Sequence, residues 1–319
     1  MARRGGVDPV LEGGRDGDIV IPVMGPTKSG KSRFLNQLIP SESPVFEVGT
    51  RLASCTAAVR SHPVLRAPRE YHQLNGMLKG RRVVLVDTPG FDDTNMGDEE
   101  ILILISEWLT RSYRKGMLVG GVLYIHDITR EGSMSRSPTI FSKLCGEDAM
   151  DQVAIVTTKW DRLSDPNEGE VKLEELTADL WSTMINCGAR VVRLRPSGHD
   201  SSRFPMHWAP WDIVYQLVIA AEARRVEYRI LHIQDEIVNQ RLPLPNTDAG
   251  RELQMSLDKL LRKARELRKQ AKQASKAGKP IELLQARQQE IERVIAKLDA
   301  LDPPSFAVRA QRWIQGLTS

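Results

Sequence analysis

The chain has 319 residues, 41% of them hydrophobic and 27% charged, with a formal net charge of +4. That balance suits a soluble globular protein with one sizeable α/β domain and a smaller unit, and the charge is too mild to argue for nucleic acid. Three cysteines with no CxxC spacing read as reduced thiols of a cytoplasmic protein, not as a disulfide frame or a zinc site, and no apolar stretch approaches the ~20 residues of a membrane helix.

Residues 1–17 are rich in glycine and charge, lack the apolar core of a signal peptide, and read as a disordered leader. Ile19 to Met24 is an apolar run suited to a buried parallel strand. It leads into Gly25-Pro26-Thr27-Lys28-Ser29-Gly30-Lys31-Ser32, which fits G-x-x-x-x-G-K-[ST]. Phe34, Leu35, Leu38 and Ile39 then recur at helical spacing, so the loop joins a strand to a helix. That context makes it a phosphate-binding loop. Its glycines let the backbone N–H groups curl inward around an anion, with Arg33 beside them in the first helical turn. Lys31 reaches the β/γ-phosphates, and the Ser32 hydroxyl ligates Mg²⁺.

A polar loop follows and ends at Thr56. This threonine is the candidate switch residue, because its hydroxyl meets Mg²⁺ only when a γ-phosphate draws the loop in. Thr50 is its rival, and an ordinary loop threonine is the plain alternative. Residues 59–65 and 81–86 read as strands, with Asn75-Gly76 as a turn between them. The second strand ends in Asp87-Thr88-Pro89-Gly90, a D-x-x-G sequence. Asp87 would hold Mg²⁺ through water, and the Gly90 N–H would meet the γ-phosphate.

Asp98-Glu99-Glu100 opens an apolar helix through Leu109, with its carboxylates at the positive end. A strand at 119–125, a helix at 139–145, a strand at 153–157, a helix at 171–184 and a strand at 191–194 follow. This alternation predicts a mostly parallel, helix-covered sheet. Thr158-Lys159-Trp160-Asp161 fits [NT]-K-x-D after the fifth strand. Guanine presents N1–H and a 2-amino group on one edge, and an ionised Asp161 accepts from both. Adenine has no such pair and would leave the carboxylate desolvated and unpaired. The Lys159 stem would cover the ring, and Ser197-Gly198 sits where a backbone contact to the base is expected.

From Ile213 to Ile237 apolar residues keep a helical period longer than a closing helix needs, until Leu242-Pro243-Leu244-Pro245 breaks it. Heptad spacing from Leu253 to Ala274 resumes from Leu284 to Leu298 after a Gly/Pro break. The expected division is a leader at 1–17, a nucleotide-binding domain at 18–211, and a helical extension at 212–319 with an antiparallel hairpin at about 248–301. Basic residues along the tail, among them Arg262, Lys263 and Arg268, read first as a solvated helical face. A membrane surface or nucleic acid is the weaker alternative.

The run Val23-Met24-Gly25, Thr27, Gly30-Lys31-Ser32, with Ser54-Cys55-Thr56, Asp87 to Asp93 and Thr158-Lys159-Trp160-Asp161, resembles the septin-like P-loop GTPases. The branch it resembles is the immunity-associated (GIMAP) and chloroplast-import Toc type, in its fungal members with a helical tail. The resemblance covers about residues 18–198 through motifs, and the tail more loosely through Thr247 to Leu253. It implies a Ras-like domain that takes GTP or GDP with Mg²⁺ and pairs with a second copy through its nucleotide face.

Two residues depart from the expected patterns. Phe91 stands where many small GTPases carry a water-orienting glutamine, so unaided hydrolysis should be slow. Lys28 replaces a small residue at the fourth loop position. A cation must offset the charge that develops between the β- and γ-phosphates. Lys28 in cis, Arg130 from a neighbouring copy and Arg136 are the candidates, in that order. The expected function is a GTPase switch completed by a partner or a second copy. A GTP-stabilised scaffold acting through its tail is the alternative.

Overall fold

The computed structural model describes residues 8–41, 43–48, 58–93, 96–130, 137–198, 206–223, 230–255 and 262. Among these residues, β1 (Ile19–Met24), β2 (Arg60–Val64), β3 (Val83–Asp87), β4 (Leu118–Val119), β5 (Val122–Asp127), β6 (Val153–Thr158) and β7 (Arg190–Arg193) form one sheet. Its order is β2-β3-β1-β5-β6-β7, with β4 beside β1. Every pair is parallel except β2 with β3. The α/β architecture expected from the alternating pattern is therefore present.

Parallel strands covered on both faces must be apolar on both, and β1, β3, β5 and β6 are buried along their whole length. Alternate residues feed two cores. Val20, Met24, Val84, Val86, Tyr124 and Ile155 face one, while Ile19, Ile21, Val23, Leu85, Ile125 and Val156 face the other. The second core is covered by α2 (Lys31–Asn36), α3 (His72–Leu78) and α8 (Pro210–Ala223), through Phe34, Leu74 and Leu217. The first is covered chiefly by α4 (Asp98–Arg114) and α5 (Ser137–Cys145), through Ile101, Ile105 and Phe141.

Pro22 lies inside the central strand β1, where a missing N–H is costly. The neighbouring strand makes room for it. Gly120 donates to the Val20 carbonyl at 2.9 Å, and in a parallel ladder Pro22 faces the same side as Val20. There β4 ends and β5 has not begun, so the single strand expected at 119–125 is split at Gly120-Gly121. A Cβ at Gly120 would fall 2.2 Å from Ile19 Cγ2, so the two strands could not approach with a larger residue there.

Other expectations are corrected. The leader does not run to residue 17, because α1 (Pro9–Glu12) docks on the domain. Asp8 caps it through Oδ1, and its Oδ2 accepts from Ser61 Oγ at 2.7 Å and Trp108 Nε1 at 2.9 Å. Asn75 and Gly76 lie within α3, where the Asn75 side chain bonds both the N–H and the carbonyl of Ala67. The helix expected at 171–184 starts earlier, as α6 (Pro166–Ala178) on an Asp165 cap and a Pro166 start, and resumes as α7 (Ser182–Asn186).

The boundary at residue 211 fails most clearly. Ile213, Val214, Leu217 and Val218 of α8 belong to the domain core, not to an extension. The helix does not continue through Leu231, which is extended and precedes α9 (His232–Gln234) and a π turn at Asp235–Asn239. Leu231, Ile233, Ile237, Leu244, Ala249 and Leu253 then pack into the first core. Leu253, expected at the head of a heptad seam, is 1% exposed in that core. Of the expected hairpin at about 248–301, residues 256–261 and 263–301 lie outside the described residues.

Candidate functional site

Because β1, β5 and β6 are parallel and adjacent, with β3 on the far side of β1, their C-terminal ends open along one edge of the sheet. Gly25–Ser32 leaves β1, Thr88–Gly90 leaves β3, Ile128–Arg130 leaves β5, and Lys159–Asp161 leaves β6. Residues separated by more than 130 positions thus meet without any side chain reaching far.

The loop after β1 takes the conformation its glycines allow. Gly25 has φ 130°, and a Cβ there would lie 2.3 Å from the Ile125 carbonyl oxygen. Gly30 has φ 103° and caps α2. Lys28 holds φ 65° despite its side chain, at a cost on the order of 1 kcal/mol. The first N–H groups of α2, on Lys31, Ser32 and Arg33, have no acceptor within the helix. Ser29 is fully buried, and its Oγ has no hydrogen-bond partner among the described residues.

Lys31 is buried, and its Nζ donates to the carbonyls of Gly25 at 3.1 Å and Pro26 at 2.9 Å. Burial pulls its pKa down to about 8 against the opposing pull of Asp87. Two neutral carbonyls compensate a buried ammonium incompletely, and a phosphate would do so better. Ser32 Oγ donates to Asp87 Oδ2 at 2.6 Å. A hydroxyl and a carboxylate are the hard oxygen donors Mg²⁺ takes, so this pair fits the metal expected with a nucleotide. Ser32 would ligate it, with Asp87 behind through water. A bound Mg²⁺ supplies neutralisation of the developing phosphate charge. Thr56 and Thr50 lie outside the described residues.

The D-x-x-G segment is clamped to this loop. Thr27 N–H donates to the Phe91 carbonyl at 2.8 Å, and Phe91 N–H to the Gly25 carbonyl at 3.3 Å. Thr27 Oγ1 bonds the Gly90 carbonyl at 3.0 Å and Asp93 Oδ2 at 2.8 Å. A Cβ on Gly90 would lie 2.5 Å from Thr27 Cα and 2.6 Å from Lys31 Nζ, so only glycine fits. Phe91 is buried in the first core, which turns its ring away from any attacking water.

The base motif is tied to the same loop. Thr158 Oγ1 donates to the Ser29 carbonyl at 2.8 Å, and Lys159 Nζ donates to the Lys28 carbonyl at 2.8 Å. Lys159 also pairs with Asp127 Oδ2 at 2.5 Å. The bonds to Lys159 and Thr129 hold the Asp127 carboxyl below its usual range even though burial opposes them. Trp160 is buried and bonds Thr157 Oγ1 through Nε1 at 3.0 Å, whereas Asp161 is exposed. Asp127 was not anticipated. Only the β5–β6 register, which sets Asp127 opposite Thr158, reveals it.

Arg130 is exposed after β5, and its charge acts on Lys31 and on His126, so it stands at the mouth of this site. Lys28 is exposed. Ser197 and Gly198 are exposed in a turn after β7, on the same edge as Asp161, with Gly198 at φ 80°. Arg136 lies outside the described residues.

No protein-family model and no curated protein matches the chain. Solved structures similar to it include translation elongation factor SelB from Methanococcus maripaludis in complex with the GTP analogue GppNHp. That alignment has 11% identity and a TM-score of 0.40, over 68% of this chain and 36% of that one. A bacterial selenocysteine-specific elongation factor, EF-Sec, aligns at 16% identity and a TM-score of 0.36, over 56% of this chain and 25% of the other. The chain therefore spans about a third and a quarter of the lengths of these two proteins.

Proposed function

We propose that this chain binds GTP and GDP with Mg²⁺ and hydrolyses GTP slowly, as a nucleotide-dependent switch. The observation that carries the reading is the pair of bonds from Thr158 and Lys159 to the Ser29 and Lys28 carbonyls. They hold the [NT]-K-x-D segment against the glycine-rich loop, which supports the reading that one nucleotide spans both. Exposed Asp161 then accepts from guanine, and Lys31 and the first N–H groups of α2 hold the phosphates. The buried Phe91 supports a low intrinsic rate. The septin-like, GIMAP/Toc-type membership, the pairing of nucleotide domains and a cytoplasmic location are parts of the same proposal.

Displacement of a fluorescent GTP analogue tests it. GTP and GDP should compete and ATP should not. Asp161→Asn should shift preference toward xanthine nucleotides, because an amide donates to the xanthine 2-oxo group. Displacement by ATP as strong as by GTP would remove the guanine assignment.

A further inference from the structure

Away from the phosphate loop, His232, Glu236 and Asp248 converge. His232 starts α9, Glu236 follows one turn later in the π turn, and Asp248 opens the helical residues 248–255. One ligand atom from each lies within 4.8 Å of the others. His232 Nε2 is 3.3 Å from Asp248 Oδ2 and 3.5 Å from Glu236 Oε1. Charge-assisted N–H···O bonds close to about 2.7–2.9 Å, so these separations are long for a histidine ion pair. Ligands ~2.0–2.1 Å from a tetrahedral zinc ion sit about 3.3–3.4 Å apart, close to the two separations from His232.

A second observation is independent of the spacing. The Glu236 side chain is 3% exposed, and its Oε1 accepts from the Asp248 N–H at 2.9 Å. Its buried Oε2 has no hydrogen-bond partner among the described residues. A buried carboxylate satisfied at one oxygen only is costly, and a cation bound by the group would offset that cost.

The ligands are also held in place. Arg251 Nη2 pairs with Asp248 Oδ1, leaving Oδ2 toward His232. An outer partner of this kind fixes a metal ligand's orientation. His232 packs on Gly146, where a Cβ would lie 2.6 Å from His232 Cβ. The His232 and Asp248 side chains are 36% and 38% exposed, so an ion can enter from solvent.

We propose that His232, Glu236 and Asp248 bind a zinc ion whose fourth position is taken by water, fastening residues 248–255 to the nucleotide domain. One imidazole and two carboxylates suit zinc over the all-oxygen shells of Mg²⁺ and Ca²⁺, which separates this site from Ser32 and Asp87.

Full-length protein stripped with EDTA and titrated with ZnCl₂ should take up one equivalent and gain thermal stability. CoCl₂ should give the intense visible absorption of a tetrahedral ion with nitrogen and oxygen ligands. His232→Ala and Asp248→Asn should weaken zinc binding by at least about 100-fold and abolish that spectrum, with unchanged far-UV circular dichroism. If either variant fails to fold, the wild-type cobalt spectrum decides. Absence of zinc uptake, equal uptake by folded His232→Ala, or a sulfur-to-cobalt charge-transfer band would each overturn the proposal.

Discussion

Lys31 holds its proton only to about pH 8 in the folded, nucleotide-free protein, whereas a free lysine holds it to 10.5. Between those values the unfolded chain binds more protons, so Lys31 makes stability rise with pH across that window. Nucleotide binding has the opposite sign. Phosphates need the ammonium, so GDP affinity should fall above pH 8 by up to about tenfold per pH unit. Calorimetric titrations from roughly pH 7 to 10 measure this, and a flat profile would show that Lys31 keeps its charge throughout. Lys31→Ala should abolish binding at every pH. Ser32→Asn should cost GTP more than GDP, because the metal it would hold bridges β- and γ-oxygens. Equal losses in a competition assay would argue against Ser32 as that ligand.

Between elements, the clamp of the β3 loop on the β1 loop combines two backbone bonds with one side-chain hydroxyl. Thr27→Val keeps the shape but removes the donor to Gly90 and Asp93. It should destabilise the nucleotide-free protein by about 1–2 kcal/mol in urea and speed nucleotide exchange. Unchanged stability and exchange would mean that the backbone pairing of Thr27 with Phe91 holds the loop alone. The two motif segments that frame this clamp were legible because each needs a fixed residue at a fixed offset from a strand end. The clamp was not, because it depends on where Phe91 goes, and an aromatic residue after D-x-x-G has no periodic neighbours to betray its burial. Likewise Leu253 satisfies a heptad and a core position equally well. Only packing separates the two, and here the core wins. Leu253→Ala should therefore cost about 2–5 kcal/mol in the nucleotide domain's own unfolding transition. If the variant melts the tail and leaves that transition where it was, the assignment to the core is wrong.

For the whole molecule, the mostly parallel sheet was readable from the alternation of apolar runs, whereas the order of its strands was not, because alternation does not say which strands are neighbours. Where the domain stops was not readable, since apolar residues at helical spacing continue past the last strand without a compositional break. The cation proposed for hydrolysis also belongs to this scale. Arg130 is exposed at the mouth and its field reaches Lys31 in the same chain. If it instead serves a neighbouring copy, single-turnover hydrolysis should accelerate with protein concentration, and Arg130→Ala should lose only that acceleration. A rate independent of concentration in both proteins would favour the scaffold reading.

The core contribution of Leu244, Ala249 and Leu253 acquires a further meaning while the chain is being made. The proposed nucleotide site, which begins at Gly25, has been synthesised by Gly198, 55 residues before Leu253. At ordinary translation speeds that gap lasts roughly 3 to 11 s. During it the nascent chain carries the residues of the proposed nucleotide site over an apolar face that is still partly uncovered. A ribosome stalled before Leu253 should therefore display a domain that binds GDP weakly and is cut readily by protease, and one stalled well beyond it should resist.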